Sequence, residues 1–143
     1  MKQALAILSL IAGLAGYAFA PSALAAGKES MTHAVIQVSD NDPAKWNLAL
    51  NNAQNMQAAL GKDKVQIEIV AYGPGLNMLK AQSKVAARVN AAMDHSVDIV
   101  ACGNTMKKMK VTKADLIGGS RVVPGGVIEI MTRQSEGWSY IRP

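Results

Sequence analysis

Short β-branched runs alternate with amphipathic stripes from residue 33 to residue 142, and that alternation constrains the fold more than any single motif. Residues 33–39 (HAVIQVS) are β-branched and end in the turn formers Ser39, Asp40, Asn41 and Asp42, which predicts a strand. Asp42 then Pro43 predicts a helix start, a capping carboxylate followed by proline at the first helical position. Trp46, Ala49, Leu50, Ala53, Met56 and Leu60 continue it as one apolar stripe, and Gly61 ends it. Residues 64–72 alternate Val65, Ile67, Ile69 and Ala71 against Gln66 and Glu68, the pattern of a second strand. After the tight Gly73-Pro74-Gly75 loop, Leu76, Leu79, Ala86, Val89 and Met93 read as one helix ending near Asp94.

Residues 97–103 (VDIVACG) are short and apolar, as suits a strand covered on both faces. Helical pieces are expected at 104–109 and at 112–117, the latter capped by Thr112 and closed by Gly118-Gly119. A fourth strand at 120–123, a helix through Val127, Ile130, Met131 and Gln134, and a last strand at 139–142 complete the chain. The expected fold is α/β, a small mostly parallel sheet of four to five strands with helices on both faces. Ligands of such sheets gather outside the carboxyl ends of the strands, here 39–45, 72–76 and 102–105.

The N-terminus precedes this pattern and differs from it. Lys2 is the one charge before Lys28, an apolar run fills residues 4–20, and Ala23-Leu24-Ala25 is a small-x-small cleavage signal. Residues 1–25 are expected to be a signal peptide rather than a stable membrane anchor, because the apolar core falls short of the ~20 residues a span needs. Residues 26–143 are then one domain, periplasmic or secreted. Phe and Tyr are too scarce for a stacking platform, and export argues against nucleic acid as the partner of the +5 net charge. A solvated basic surface accounts for that charge, with anionic small molecules or membrane surfaces as the alternative.

The sequence carries a single cysteine, so no intramolecular disulfide can form. Cys102 closes the third predicted strand and opens a helical piece, where the helix dipole, Lys107 and Lys108 would favour a thiolate. A packed, inert thiol explains the same residue equally well. His33 and His95 are isolated and no ligand spacing accompanies them, so neither a metal nor a cofactor is expected. Glu68 and Glu129 alternate with apolar neighbours and are expected to face solvent or another subunit. Asp40 and Asp42 fit turn and capping duty. Asn52 turns toward the buried stripe of its helix and could reach the ligand edge. The candidate substrate-binding set is Asp40, Asn52, Gly73, Gly75, Gly103, Asn104 and Thr105, arranged about Cys102.

Four stretches carry a family resemblance: residues 42–52 (DPAKWNLALNN), 71–75 (AYGPG), 101–106 (ACGNTM) and 136–143 (EGWSYIRP). In order and spacing they resemble the DsrE/DsrF-like family. The resemblance implies a parallel α/β fold, a homotrimer or homohexamer, and a place among sulfur-relay proteins. In these, a cysteine after the third strand accepts sulfur as a persulfide, and Cys102 stands at that position. It implies a sulfur carrier more than a turnover enzyme, working with a sulfur-donor or acceptor protein or a small sulfur compound. Well-understood members are cytoplasmic, and the apparent export of this chain departs from them. The alternative is a non-catalytic oligomeric module, binding a small molecule or protein, in which Cys102 is inert.

Overall fold

The computed structural model describes residues 31–143, so the expected signal peptide lies outside the described residues. Five strands, β1 (Thr32–Val38), β2 (Val65–Ala71), β3 (Asp98–Cys102), β4 (Arg121–Val123) and β5 (Ser139–Ile141), form one sheet. Their order is β4-β3-β2-β1-β5, and every pairing is parallel. Among the described residues the α-helices are α1 (Pro43–Leu60), α2 (Ala86–Asp94), α3 (Gly103–Met109) and α4 (Gly126–Ser135). The expected α/β architecture holds.

Helix α1 begins as the sequence predicts. Asp42 Oδ1 accepts the Ala44 N–H at 2.8 Å, Pro43 occupies the first turn, and Gly61 ends the helix with φ 92°. The stripe from Leu76 to Met93 is not one helix. It divides into a 3-10 segment, Gly73–Leu79, and the later α2. Between them Lys80 is extended and bridges Leu116, while the Ile117 N–H reaches the Leu79 carbonyl at 2.8 Å and the Ala81 N–H reaches Asp115 at 2.9 Å. Pairing with a distant loop overrides local helix periodicity there. That loop holds a second 3-10 turn, Lys113–Asp115, with Thr112 and Asp115 in a capping box.

Alternation along the strands sorts side chains onto two faces. Ile36, Ile67, Ile69 and Ile99 face a large core closed by Trp46, Leu50, Leu76, Leu79, Val89 and Met106 from the helices. Val35, Val70, Val100 and Val123 face a smaller core closed by Ile130 and Trp138. Of the described helices, α4 alone covers this second face. Glu68 belongs to it and corrects an expectation: it is fully buried, not solvent-facing. In a parallel sheet covered on both sides, the polar partner in an alternating strand still lies under a helix. Two arginines accompany it: Arg133 Nε lies 2.8 Å and Arg121 Nη2 3.0 Å from Glu68 Oε2. Glu129, half-buried on α4, pairs with the same two guanidiniums.

Candidate functional site

The crossovers divide between the faces at one place. β3 leads into α3 on the large-core side, whereas its neighbour β4 leads into α4 on the opposite side. The carboxyl ends of β3 and β4 therefore open a crevice, the topological switch point where ligands of α/β sheets collect. Cys102 ends β3 and precedes the first residue of α3, while Val123, Pro124, Gly125 and Gly126 run from β4 into α4. A groove of about 340 Å³ beside them is lined by Gly103, Asn104, Lys107, Val122, Val123 and Pro124.

Two glycines make this approach possible. A Cβ on Gly103 would stand 2.9 Å from the Val123 carbonyl oxygen. One on Gly126 would stand 3.0 Å from Tyr72 Cβ and 3.2 Å from Cys102 Cβ. The bare backbone lets the first residue of α4 lie directly over Cys102.

The electrostatics of the sulfur follow from this packing. Burial opposes ionisation of Cys102, but hydrogen bonds from the Thr105 hydroxyl and from the N–H groups of Gly126, Thr105 and Asn104 together hold its pKa below the ordinary thiol value. The Asn104 N–H is chiefly committed to the Pro124 carbonyl at 3.0 Å, so its share is the smallest. Thr105 is itself positioned from β2: the Gly73 N–H donates to its Oγ1 at 2.9 Å, which leaves the hydroxyl proton to donate to Sγ. Lys107 and Lys108, expected to favour the thiolate, stand exposed in the last turn of α3, and the largest effects lowering the pKa come instead from the hydrogen bonds at the starts of α3 and α4. The thiol itself is buried, Cys102 being 5% exposed.

The remaining candidates divide. Gly73, Gly103, Asn104 and Thr105 meet Cys102 at the crevice. Gly75 serves the backbone: its N–H donates to Ser39 and Tyr72 carbonyls, and a Cβ would collide with the Val38 carbonyl. Asp40 lies just beyond β1, two strands from β3 and so roughly 10 Å across the sheet. It pairs with Lys45 at 2.9 Å, which lowers its pKa, and its carbonyl accepts from Trp46 Nε1 at 2.7 Å. Asn52 does not reach the ligand edge. It lies nine residues into α1, about 13 Å from the helix start at 1.5 Å per residue. Sequence reasoning missed Gly126, which only the return crossover brings to Cys102; the one signal for it was the Gly125-Gly126 pair after Pro124. Among the described residues no cluster of His, Cys, Asp or Glu could hold a metal ion.

Comparison with known proteins agrees with this fold. A protein of unknown function from Methanobacterium thermoautotrophicum is 36% identical, with a TM-score of 0.75 over 78% of this chain and 99% of its own. A conserved protein of unknown function from Bacteroides thetaiotaomicron is 15% identical, with a TM-score of 0.64 over 78% of this chain and 94% of its own. The ychN protein of E. coli is 9% identical, with a TM-score of 0.61 over 79% of this chain and 99% of its own. The last two show a shared fold alone. No curated protein matches the chain. The model of one family covers residues 12–143, nearly the whole sequence, and the chain belongs to that family, the DsrE/DsrF-like family.

Proposed function

We propose that this protein handles sulfur, with the Cys102 thiolate accepting sulfane sulfur as a persulfide. One observation carries the reading: Cys102 ends β3 at the β3/β4 switch point, close under Gly126 at the start of α4, where hydrogen bonding from Thr105 and Gly126 holds its pKa below the ordinary thiol value. The thiolate attacks a terminal sulfur of a polysulfide dianion, a Cys102 S–S bond forms, and the adjacent S–S bond of the donor breaks. The donor leaves one sulfur shorter with the bonding electron pair. A persulfide anion carries the same single charge as the thiolate, so donors that hold one can hold the other. The site stabilises charge without supplying a proton shuttle, which suits a carrier. Membership of a family associated with sulfur relay supports the same reading.

Burial favours a second reading. A thiol 5% exposed fits a binding module in which Cys102 is inert packing. Intact-mass measurement of native protein after polysulfide treatment separates the two. The sulfur reading expects a gain of one sulfur atom, reversed by reductant and absent in Cys102→Ser with its fold intact. An unmodified native protein would leave the binding module.

A further inference from the structure

Helix α4 rests on the sheet with few apolar anchors. Its buried residues are Gly126, over Cys102, and Ile130, while Val127, Ile128 and Met131 point outward. Its other ties are ionic. Arg133 donates to Glu68 at 2.8 Å and lies 4.8 Å over the Trp138 ring, and Glu129 accepts from Arg121 at 3.1 Å. Gly126 and Arg133 are about 10 Å apart along the helix, so the residue above the thiol and the residue above the carboxyl ride on one rigid element. Glu68 Oε1, buried beneath it, has no hydrogen-bond partner.

We propose that α4 is a lid over Cys102, and that the buried Glu68 carboxyl is the catch beneath it, holding it most firmly when protonated. The charged groups around Glu68 are Asp98 on β3, Arg121 on β4, and Glu129 and Arg133 on α4, with Glu136 reached through Arg133. From β1, Val35 lies opposite and His33 packs against Trp138, ring centres 5.0 Å apart. Burial pushes the Glu68 carboxyl up to about 7, against the pull of Arg133 and Arg121, with Glu129 adding to the rise. Lifting α4 returns the group to water and to an ordinary carboxylate pKa. The seated form therefore binds the proton more tightly, and rising pH favours lifting until the seated form ionises as well. The lid would regulate the sulfur-accepting role proposed above and rests on that reading. Access to Cys102, however, is measurable whether or not the thiol takes up sulfur.

The test is the rate at which native protein reacts with a dipyridyl disulfide, a thiol reagent that stays active in mild acid. Each rate is divided by the thiolate fraction from ultraviolet absorbance, at one fixed protein concentration. In the unmodified sequence the corrected rate should climb by up to about tenfold per pH unit from the ordinary carboxylate range and level off near 7. Glu68→Gln should abolish the climb and keep the rate low. Arg133→Met should raise the rate at every pH, with hydrogen exchange faster in α4 and unchanged in β2. A flat corrected profile in the unmodified protein overturns the proposal, as does a climb that survives in Glu68→Gln. So does an Arg133→Met protein that keeps its sheet protected and reacts no faster. If Arg133→Met loses its sheet, the first two profiles still decide. A climbing profile without a polysulfide adduct would retain the lid and remove the sulfur reading.

Discussion

At the residue scale, the chemistry of Cys102 depends on neighbours that differ in how visible they are from sequence. Thr105 follows Cys102 by one helical turn and Gly73 comes just after the adjacent strand, so positions at the strand ends alone mark both. Their hydrogen bond at 2.9 Å shows why Thr105 has its hydroxyl proton free for the sulfur. Replacing Thr105 with Val should slow alkylation of Cys102 at neutral pH by about tenfold, since a hydrogen bond to a charged group contributes about 1.5 kcal/mol. Rates measured against pH check this: the thiolate titration must move upward while the fully ionised rate holds. Gly126 was invisible because 24 residues and a change of sheet face separate it from Cys102. Gly126→Ala adds a methyl 3.0 Å from Tyr72 Cβ. Overpacking of this kind costs about 1–3 kcal/mol, so a lower Tm together with faster alkylation is expected.

Among the elements, strand positions were legible because β-branched runs bounded by turn formers leave few other structures, and α1 was legible from Asp42-Pro43 through Gly61. Two features were not. The extended break at Lys80 depends on the loop near Leu116, a contact no local window contains. Glu68 read as a surface residue because alternation reports which face a side chain takes, not whether a helix covers that face. The cover has a pH consequence opposite to that of most carboxylates. With burial pushing its folded pKa up to about 7, well above the ordinary carboxylate range, Glu68 contributes stability fully present below the unfolded value. That contribution is lost as pH rises through the folded value. Urea midpoints should therefore fall between about pH 4.5 and 7, by up to about 3 kcal/mol, and Glu68→Gln should flatten that limb. Asp40 and Asp115 act in the other direction: Lys45 and Thr112 respectively lower their pKa values, so their contributions vanish only as pH falls below the ordinary Asp range. The two windows do not overlap, and a stability profile that rises smoothly from acid to pH 7 would contradict the Glu68 assignment.

At the scale of the whole molecule, one helix on one sheet face leaves apolar surface uncovered. Val127, Ile128 and Met131 are 50%, 64% and 60% exposed and share the outer side of α4. A contiguous exposed apolar patch of this kind is a candidate interaction surface. Assembly of the chain into a trimer or hexamer is accordingly proposed, with this face inside the contact. Closed symmetry would bury the same patch on every subunit. Export is the companion proposal: N-terminal sequencing should find the protein starting at Ala26 or Gly27, and no helix among the described residues is long and apolar enough to cross a membrane. The assembly prediction is tested by light scattering at micromolar concentration, where the unmodified protein should give an oligomer mass and Met131→Glu a smaller one. A charge placed in the centre of an apolar contact must either be desolvated or push the subunits apart, whereas on a free surface it would be harmless. Because α4 would be held between subunits, the dissociated variant should also expose Cys102 to alkylation faster than the assembly does. A monomeric unmodified protein at that concentration would refute assembly. An oligomer whose mass and Cys102 reactivity are indifferent to Met131→Glu would place the contact on another face.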